Sequence, residues 1–209
     1  ILKLAKFSDF ITFEIELAND KALNDLVKTG KAINPSPITL GIIKDKLKQK
    51  EFLRKNKIPT ARFLEVSSLS SIMDAAKIFG YPLMLKARTD GYDGRGNFLI
   101  NKKNDIEKGL RKLWGRKLYG ETFINFTKEL AVMVARNIKG DIKIYPVVQA
   151  IHKDNICDTV IFPPQISKKA YRKAQDLARK VINEIDGAGV FGIEMFLEKG
   201  DKLLINEIA

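Results

Sequence analysis

The sequence predicts an α+β fold in which short strands pair mostly antiparallel and amphipathic helices pack on them. Three features carry this prediction. Residues 81–87 (YPLMLKA) and 97–100 (NFLI) are apolar, strand-like runs joined by a loop with three glycines, Gly91, Gly94 and Gly96. Residues 189–197 and 202–208 read as a second strand pair, joined by Glu198-Lys-Gly-Asp201. Residues 167–185 carry apolar side chains at helical spacing and start at Ser167, a good N-cap.

The remaining elements follow in order. Residues 10–17 (FITFEIEL) alternate apolar and polar, a strand pattern. Residues 19–29 suit a short helix closed by Gly30. Asn34-Pro-Ser-Pro-Ile38 is a turn or linker. Ser36 and Pro37 open a helix to about Asn56, since proline's fixed φ and missing N–H suit a first helical turn. Ile58-Pro59-Thr60 breaks it. Residues 62–66 form a strand, and a helix runs from Ser70 or Ser71 to Phe79, closed by Gly80. Beyond the glycine loop, 104–113 is a helix with Asp105 and Glu107 in its first turn, where acids oppose the helix dipole. Residues 122–126, 129–136 and 143–149 are strands, and the chain has no internal repeat.

The glycine loop is the strongest chemical signal. Glycine lets backbone N–H groups approach an anion and reach φ > 0 cheaply, and successive N–H groups in such turns form a concave anion site. Lys86 before the loop and Arg95 inside it add positive charge. The pattern is neither Gly-Lys-Ser/Thr nor a loop that opens a helix. It reads as a strand–loop–strand cover over phosphates, with an ordinary hairpin turn as the alternative.

The second signal is a pair of acids. Centring the last hairpin on Lys199-Gly200 sets Glu194 opposite Ile205 and Glu207 opposite Gly192. The two glutamates then become diagonal neighbours on one face. With the amide of Asn206 they could converge on Mg²⁺ held against phosphate oxygens. Solvent-facing glutamates on an edge hairpin are the alternative. The apolar flanks GVFGIEMF and LLINE favour the metal, because acids set in apolar strands seldom lack a partner.

Composition excludes several classes. At 209 residues the chain can bury a sizeable core in one or two domains. No apolar run approaches the ~20 residues of a membrane span. A single cysteine, Cys157, excludes internal disulfides and fits a reducing compartment. The net charge of +12 admits nucleic acid as a partner. The lysines, however, are spread along the chain and concentrate on helical stretches, which solvated faces explain.

These residues resemble the ATP-grasp ligases and, more narrowly, the 5-(carboxyamino)imidazole ribonucleotide synthetase family. The matching segments are TFEIE (12–16), NPSPITLGIIKDKLKQKEFL (34–53), IPTARF (58–63), YPLMLKARTDGYDGRGN (81–97), ETFINFTKELAVMVAR (121–136), YPVVQAIHKDNIC (145–157) and GVFGIEMFLEKGDKLLINEIA (189–209). They cover nearly the whole chain in family order. The resemblance implies an ATP-grasp fold: the tail of an N-terminal α/β domain (1–34), a helical linker (35–56), a lid subdomain (57–120) and a second subdomain (121–209). Both ends are expected to be cut from a longer protein, with an N-terminal domain and a substrate-binding C-terminal segment beyond them.

The same resemblance implies the site. Lys86 meets ATP phosphates, and Lys46 is a looser basic phosphate contact. Gly91, Tyr92, Asp93, Gly94, Arg95, Gly96 and Asn97 form the covering loop. Glu121, Thr122, Phe123 and Ile124 present backbone to adenine, and Glu129 binds ribose. His152 contacts nucleotide or is an ordinary polar surface residue. Glu194 and Glu207 bind metal, with Asn206 beside them. Tyr92, Arg95 and Glu14 lie toward the ribonucleotide. Lys86, Arg95, Glu194 and Glu207 are the implied catalytic groups. The implied activity is ATP-dependent carboxylation of 5-aminoimidazole ribonucleotide by bicarbonate through carboxyphosphate, in purine biosynthesis. Mg²⁺, or Mn²⁺ in its place, would be the cofactor, the protein a cytoplasmic homodimer, and neither membrane nor nucleic acid a partner. Another ATP-grasp ligase and a non-catalytic basic module are the competing readings.

Overall fold

A computed structural model describes residues 1–89, 91 and 95–209. The helices are α1 (Leu2–Ala5), α2 (Asp20–Lys28), α3 (Pro37–Ile43), α4 (Lys46–Lys55), α5 (Leu69–Phe79), α6 (Ile106–Lys112) and α7 (Lys168–Glu184). The strands are β1 (Phe10–Ile11), β2 (Ala32–Ile33), β3 (Phe63–Val66), β4 (Leu83–Ala87), β5 (Asn97–Ile100), β6 (Leu118–Thr122), β7 (Lys128–Arg136), β8 (Ile142–Ile144), β9 (Val148–Lys153), β10 (Ile156–Ile161), β11 (Gly189–Glu198) and β12 (Lys202–Ile208). Among the described residues, no helix is long and apolar enough to cross a membrane.

Two antiparallel sheets position everything else. The smaller has strand order β3-β6-β4-β5. Helices α5 and α6 cover one face, burying Ile72, Ala75 and Ile106 against Leu83, Leu85 and Ile100. Helix α5 starts cleanly because Ser68 and Ser71 form a reciprocal capping box. The larger sheet has order β10-β9-β7-β11-β12, with β8 paired to β7. Its inner face takes Val132, Val134, Phe191, Ile193 and Met195 against Ala170, Ala174, Ala178 and Val181 of α7. Those alanines at four-residue spacing let the helix sit close on the sheet. A small parallel pair, β1 with β2, packs with α2 and α3 around Leu23 and Leu40.

Several expectations are corrected. The 36–56 helix is two helices. Lys44 closes α3, and Asp45 leaves the helical region to cap α4, accepting from Leu47 N and Lys48 N at 3.1 and 3.3 Å. The FITFEIEL strand shrinks to Phe10–Ile11, which pairs only with the two residues of β2. Residues 123–126 are not a strand: β6 ends at Thr122. The 143–149 strand divides into β8 and β9. Residues 156–161 form β10, a strand outside those expected from the sequence pattern.

The last hairpin is also shifted. Glu198 pairs with Lys202 and Leu197 with Leu203, so the turn holds three residues, with Gly200 and Asp201 at φ 75° and 58°. A bulge between Glu194 and Met195 absorbs Asn206 and shifts the register again. Glu194 and Glu207 therefore face each other directly rather than diagonally.

Candidate nucleotide site

The two sheets meet over a cleft of about 930 Å³. Thr60 joins them by bridging to Ile205, with Ile205 N donating to Pro59 O at 2.8 Å. One wall is the smaller sheet, the other the strands β7, β9, β11 and β12, and helix α4 closes the end.

Lys86 and Glu121 stand on adjacent strands, β4 and β6, and point to the same side. Lys86 Nζ lies 2.7 Å from Glu121 Oε1. On the far side Lys50 of α4 approaches Glu121 Oε2 at 3.2 Å, with both side chains almost wholly buried. Burial alone would raise the Glu121 carboxyl, but the ammoniums of Lys50 and Lys86 outweigh it and hold the group at about 2. Burial would likewise lower Lys86, and Glu121 reverses that, so Lys86 stays firmly cationic.

Lys46 begins α4, and its Nζ donates to Glu207 Oε2 at 2.5 Å. Its placement rests on a buried joint. Lys46 N donates to Arg88 O at 2.8 Å, while the Arg88 guanidinium grips both Asp45 oxygens, at 3.1 and 2.6 Å. Gln49, one turn on, accepts from Ile208 N and donates to Ile208 O, fixing the strand beside Glu207.

The acids gather at the floor. Burial and then the charge of Glu207 raise the Glu194 carboxyl above its ordinary value. Glu16 joins them: burial, then Glu207, pushes it up to about 7. Asn206 Nδ2 donates to Glu194 Oε2 at 3.3 Å, while Asn206 Oδ1 is buried without a hydrogen-bond partner. The facing carboxylates of Glu194 and Glu207 and the orphaned amide oxygen of Asn206 form an oxygen-only donor set. That set suits a hard divalent cation such as Mg²⁺. Among the described residues there is no cluster of three or more His, Cys, Asp or Glu of metal-binding geometry; Glu194, Glu207 and Asn206 are the residues that could offer oxygens to such a cation here.

The linker after β6 forms another edge. Among the described residues, none of residues 123–126 makes a backbone hydrogen bond outside the strand ladders. Thr122, Phe123, Ile124 and Phe126 line the cleft, with Phe126 stacked on Phe196 at 4.5 Å. An extended backbone with unspent donors and acceptors beside flat apolar side chains can hold a heteroaromatic ring. Deeper in, Glu129 pairs with His152 Nδ1 across β7 and β9.

The cleft thus brings together Glu14, Lys46, Lys86, Gly91, Asn97, Glu121, Thr122, Phe123, Ile124, Glu129, His152, Glu194, Asn206 and Glu207. Gly91 and Gly96 close the ends of the glycine loop: a Cβ on Gly96 would lie 2.7 Å from Gly91 Cα. Arg95 and Gly96 are not among the cleft-lining residues. Tyr92, Asp93 and Gly94 lie outside the described residues. Glu16, Asn155, Phe196 and Lys50 were not among the residues that sequence reasoning placed at the site. Glu16 lies in the same TFEIE run as Glu14, and its proximity to Lys46 was the missing information.

The ATP-grasp domain family matches residues 51–209. The chain is similar over its full length to the phosphoribosylaminoimidazole carboxylase of Ogataea methanolica, 46% identical, covering 39% of that protein. It is 37% identical to the N5-carboxyaminoimidazole ribonucleotide synthase of Synechococcus elongatus, over 99% of this chain and 52% of the relative. Among solved structures, the carboxyaminoimidazole ribonucleotide synthase of Aspergillus clavatus complexed with ATP superposes with a TM-score of 0.95 at 41% identity, over 99% of this chain and 55% of that one. The same enzyme in complex with ADP and 5-aminoimidazole ribonucleotide superposes at 0.92. The chain spans 39% of the length of the Ogataea protein and about half the length of the others.

Proposed function

The chain belongs to the ATP-grasp family, and on that premise we propose that it carries the nucleotide half of an enzyme that carboxylates 5-aminoimidazole ribonucleotide with bicarbonate at the expense of ATP. The observation that carries the proposal is the convergence, in one cleft, of two fixed ammoniums, an unspent backbone edge and a carboxylate pair. The relative whose structure holds ADP and 5-aminoimidazole ribonucleotide supports the choice of acceptor.

In this reading adenine lies against Glu121–Ile124 and stacks near Phe126, and Glu129, oriented by His152, accepts from the ribose hydroxyls. Lys46 and Lys86 neutralise the phosphates. A bicarbonate oxygen attacks the γ-phosphorus, the bond to ADP breaks, and carboxyphosphate results. The acceptor's amine then takes the carboxyl carbon, releasing phosphate and a proton. Such transfer asks the protein mainly for positioning and charge neutralisation. Glu194, Glu207 and Asn206 would hold Mg²⁺ or Mn²⁺, which when bound supplies charge neutralisation on the phosphate oxygens. The loop from Gly91 to Asn97, with Tyr92, Asp93, Gly94, Arg95 and Gly96, excludes water from the labile acyl phosphate; Tyr92, Arg95 and Glu14 face the ribonucleotide. The reading extends to the division into residues 1–34, 35–56, 57–120 and 121–209, to a homodimer and to a cytoplasmic setting.

Thermal shift tests the nucleotide reading. Binding to the folded state alone adds ~2.7 kcal/mol at a hundredfold excess over Kd. We expect stabilisation by Mg²⁺-ATP, little by Mg²⁺-GTP, and a smaller effect of ATP in EDTA. ADP release should then depend on both bicarbonate and the aminoimidazole ribonucleotide. Equal stabilisation by GTP, or ADP release indifferent to the acceptor, would overturn the reading.

A further inference from the structure

We propose that Lys50 is a positioning residue for the phosphate subsite: by compensating Glu121, it leaves the charge of Lys86 available to an incoming polyphosphate. The inference rests on the nucleotide reading of the cleft.

Lys50 does not line the cleft. Its side chain is 2% exposed, and it makes two contacts: 3.2 Å to Glu121 Oε2, and a hydrogen bond to Thr60 Oγ1 at 2.9 Å. Thr60 Oγ1 in turn donates to Ile205 O at 2.8 Å, on the strand that also bears Glu207. A lysine so buried is costly unless paired, and burial lowers its ordinary pKa while Glu121 opposes that.

Charge counting shows what the residue does. Lys86 and Glu121, 2.7 Å apart, are together neutral. A polyphosphate approaching that pair alone would meet an ammonium whose field is cancelled by a carboxylate at its side. Lys50 on the opposite carboxylate oxygen turns the pair into a triad with one net positive charge. In a buried setting such a charge acts strongly, because screening is weak. Lys50 also competes for Glu121, so Lys86 can leave the carboxylate for a phosphate oxygen without stranding a buried anion. The Thr60 link ties this arrangement to the larger sheet, so the phosphate subsite is built from both halves of the cleft.

The test uses the full 209-residue chain and compares affinity for ATP with affinity for adenosine, which lacks phosphate. K50M should weaken ATP about tenfold or more and leave adenosine within about twofold. The double variant K50M/E121Q restores the net positive charge and should recover most of the ATP affinity. E121Q alone raises the charge further and should bind ATP at least as tightly as the native chain, which keeps the test open if K50M does not fold. Parallel loss of ATP and adenosine in K50M, native ATP affinity in K50M, no recovery in the double variant, or weaker ATP binding by E121Q would each overturn the inference. A native chain that binds no ATP would overturn the nucleotide reading instead.

Discussion

Asp45 offers the sharpest test of how the site is built. Replacing it with alanine removes two things at once. Helix α4 loses its cap, since Leu47 N and Lys48 N no longer have the carboxylate to donate to; that costs about 1 kcal/mol. Arg88, with its side chain 15% exposed, loses both contacts to Asp45 and, among the described residues, keeps Glu65 Oε1 at 2.5 Å as its side-chain partner. A guanidinium stripped of a partner in a mostly buried place costs about 2–3 kcal/mol. The expected destabilisation of D45A is therefore about 3–4 kcal/mol. D45N keeps one oxygen, which can still serve the cap and Arg88 Nε, but it loses the charge and sets an amide NH2 against Arg88 Nη2; it should lose about 1–2 kcal/mol.

Urea unfolding followed by circular dichroism is the assay, because the single Trp114 is exposed and a poor reporter of unfolding. The midpoint should move while the slope stays constant. The pH dependence follows from the carboxyl's environment. Burial would raise it, but Arg88 and the backbone donors bring Asp45 below its ordinary 3.8. Its contribution is fully present above that value and disappears as pH falls through the lowered one, so the gap between native and D45A closes only in strong acid. Destabilisation under about 1 kcal/mol, or D45N as damaging as D45A, would refute this account of the joint.

Further outcomes follow from the same geometry. E194Q and E207Q should each abolish most of the Mg²⁺-dependent part of the ATP thermal shift while leaving the EDTA-treated protein folded; an unchanged metal dependence removes them from the cation site. Burial and Glu207 raise Glu16 to about 7. Its contribution to stability is present below its ordinary 4.5 and lost as pH rises through 7. Titrating Mg²⁺ at pH 6 and pH 8 should accordingly show tighter binding at pH 8, where no proton competes; equal affinity at both would exclude the coupling. G96A forces a Cβ within 2.7 Å of Gly91 Cα and should weaken ATP binding through the displaced loop ends, which a nucleotide titration reads; native affinity would show that the two ends do not need that approach.

Much of this was legible in the sequence, and the exceptions have physical causes. The glycine hairpin, α7 and the final strand pair announce themselves by local rules: turn residues, a cap and periodicity. The cleft residues were legible by type, because acids and lysines in apolar strands need partners. The direct apposition of Glu194 and Glu207 was not, since the bulge at Asn206 shows no local signature and a single inserted residue shifts every pair beyond it. FITFEIEL alternates like a strand, yet β2 offers only two residues to pair with. Lys44-Asp45-Lys46 sits among good helix formers, so Asp45 looked like a helix interior; only Arg88, 43 residues away, makes it a boundary. Strand β10 is exposed along most of its length, and its apolar residues Ile156, Cys157, Val160 and Ile161 do not alternate with polar ones, the pattern that marks a half-buried strand. The carboxylate role of Glu121 has no local signal, because Lys50, one of its buried partners, comes from a separate helix.

Helix α4 explains why these distant residues form one site. Lys46, Gln49 and Lys50 fall on one helical face by their spacing. They reach, in turn, Glu207, the backbone of Ile208, and Glu121. The helix thus registers the carboxylates of both sheets against a single rigid element. Each cleft ammonium is already engaged by a carboxylate, Lys46 by Glu207 and Lys86 by Glu121. A divalent cation on Glu207 would compete with the Lys46 ammonium for Oε2. Cation binding at Glu194 and Glu207 would therefore free Lys46 toward the phosphates, and a phosphate drawing on Lys86 would leave Glu121 to Lys50. The carboxylates hold both lysines aimed into the cleft, and each carboxylate has a second cation to take the lysine's place once the nucleotide arrives. Assembly of the phosphate subsite in this way needs an exchange of ion pairs rather than the creation of buried unpaired charge, the costlier alternative.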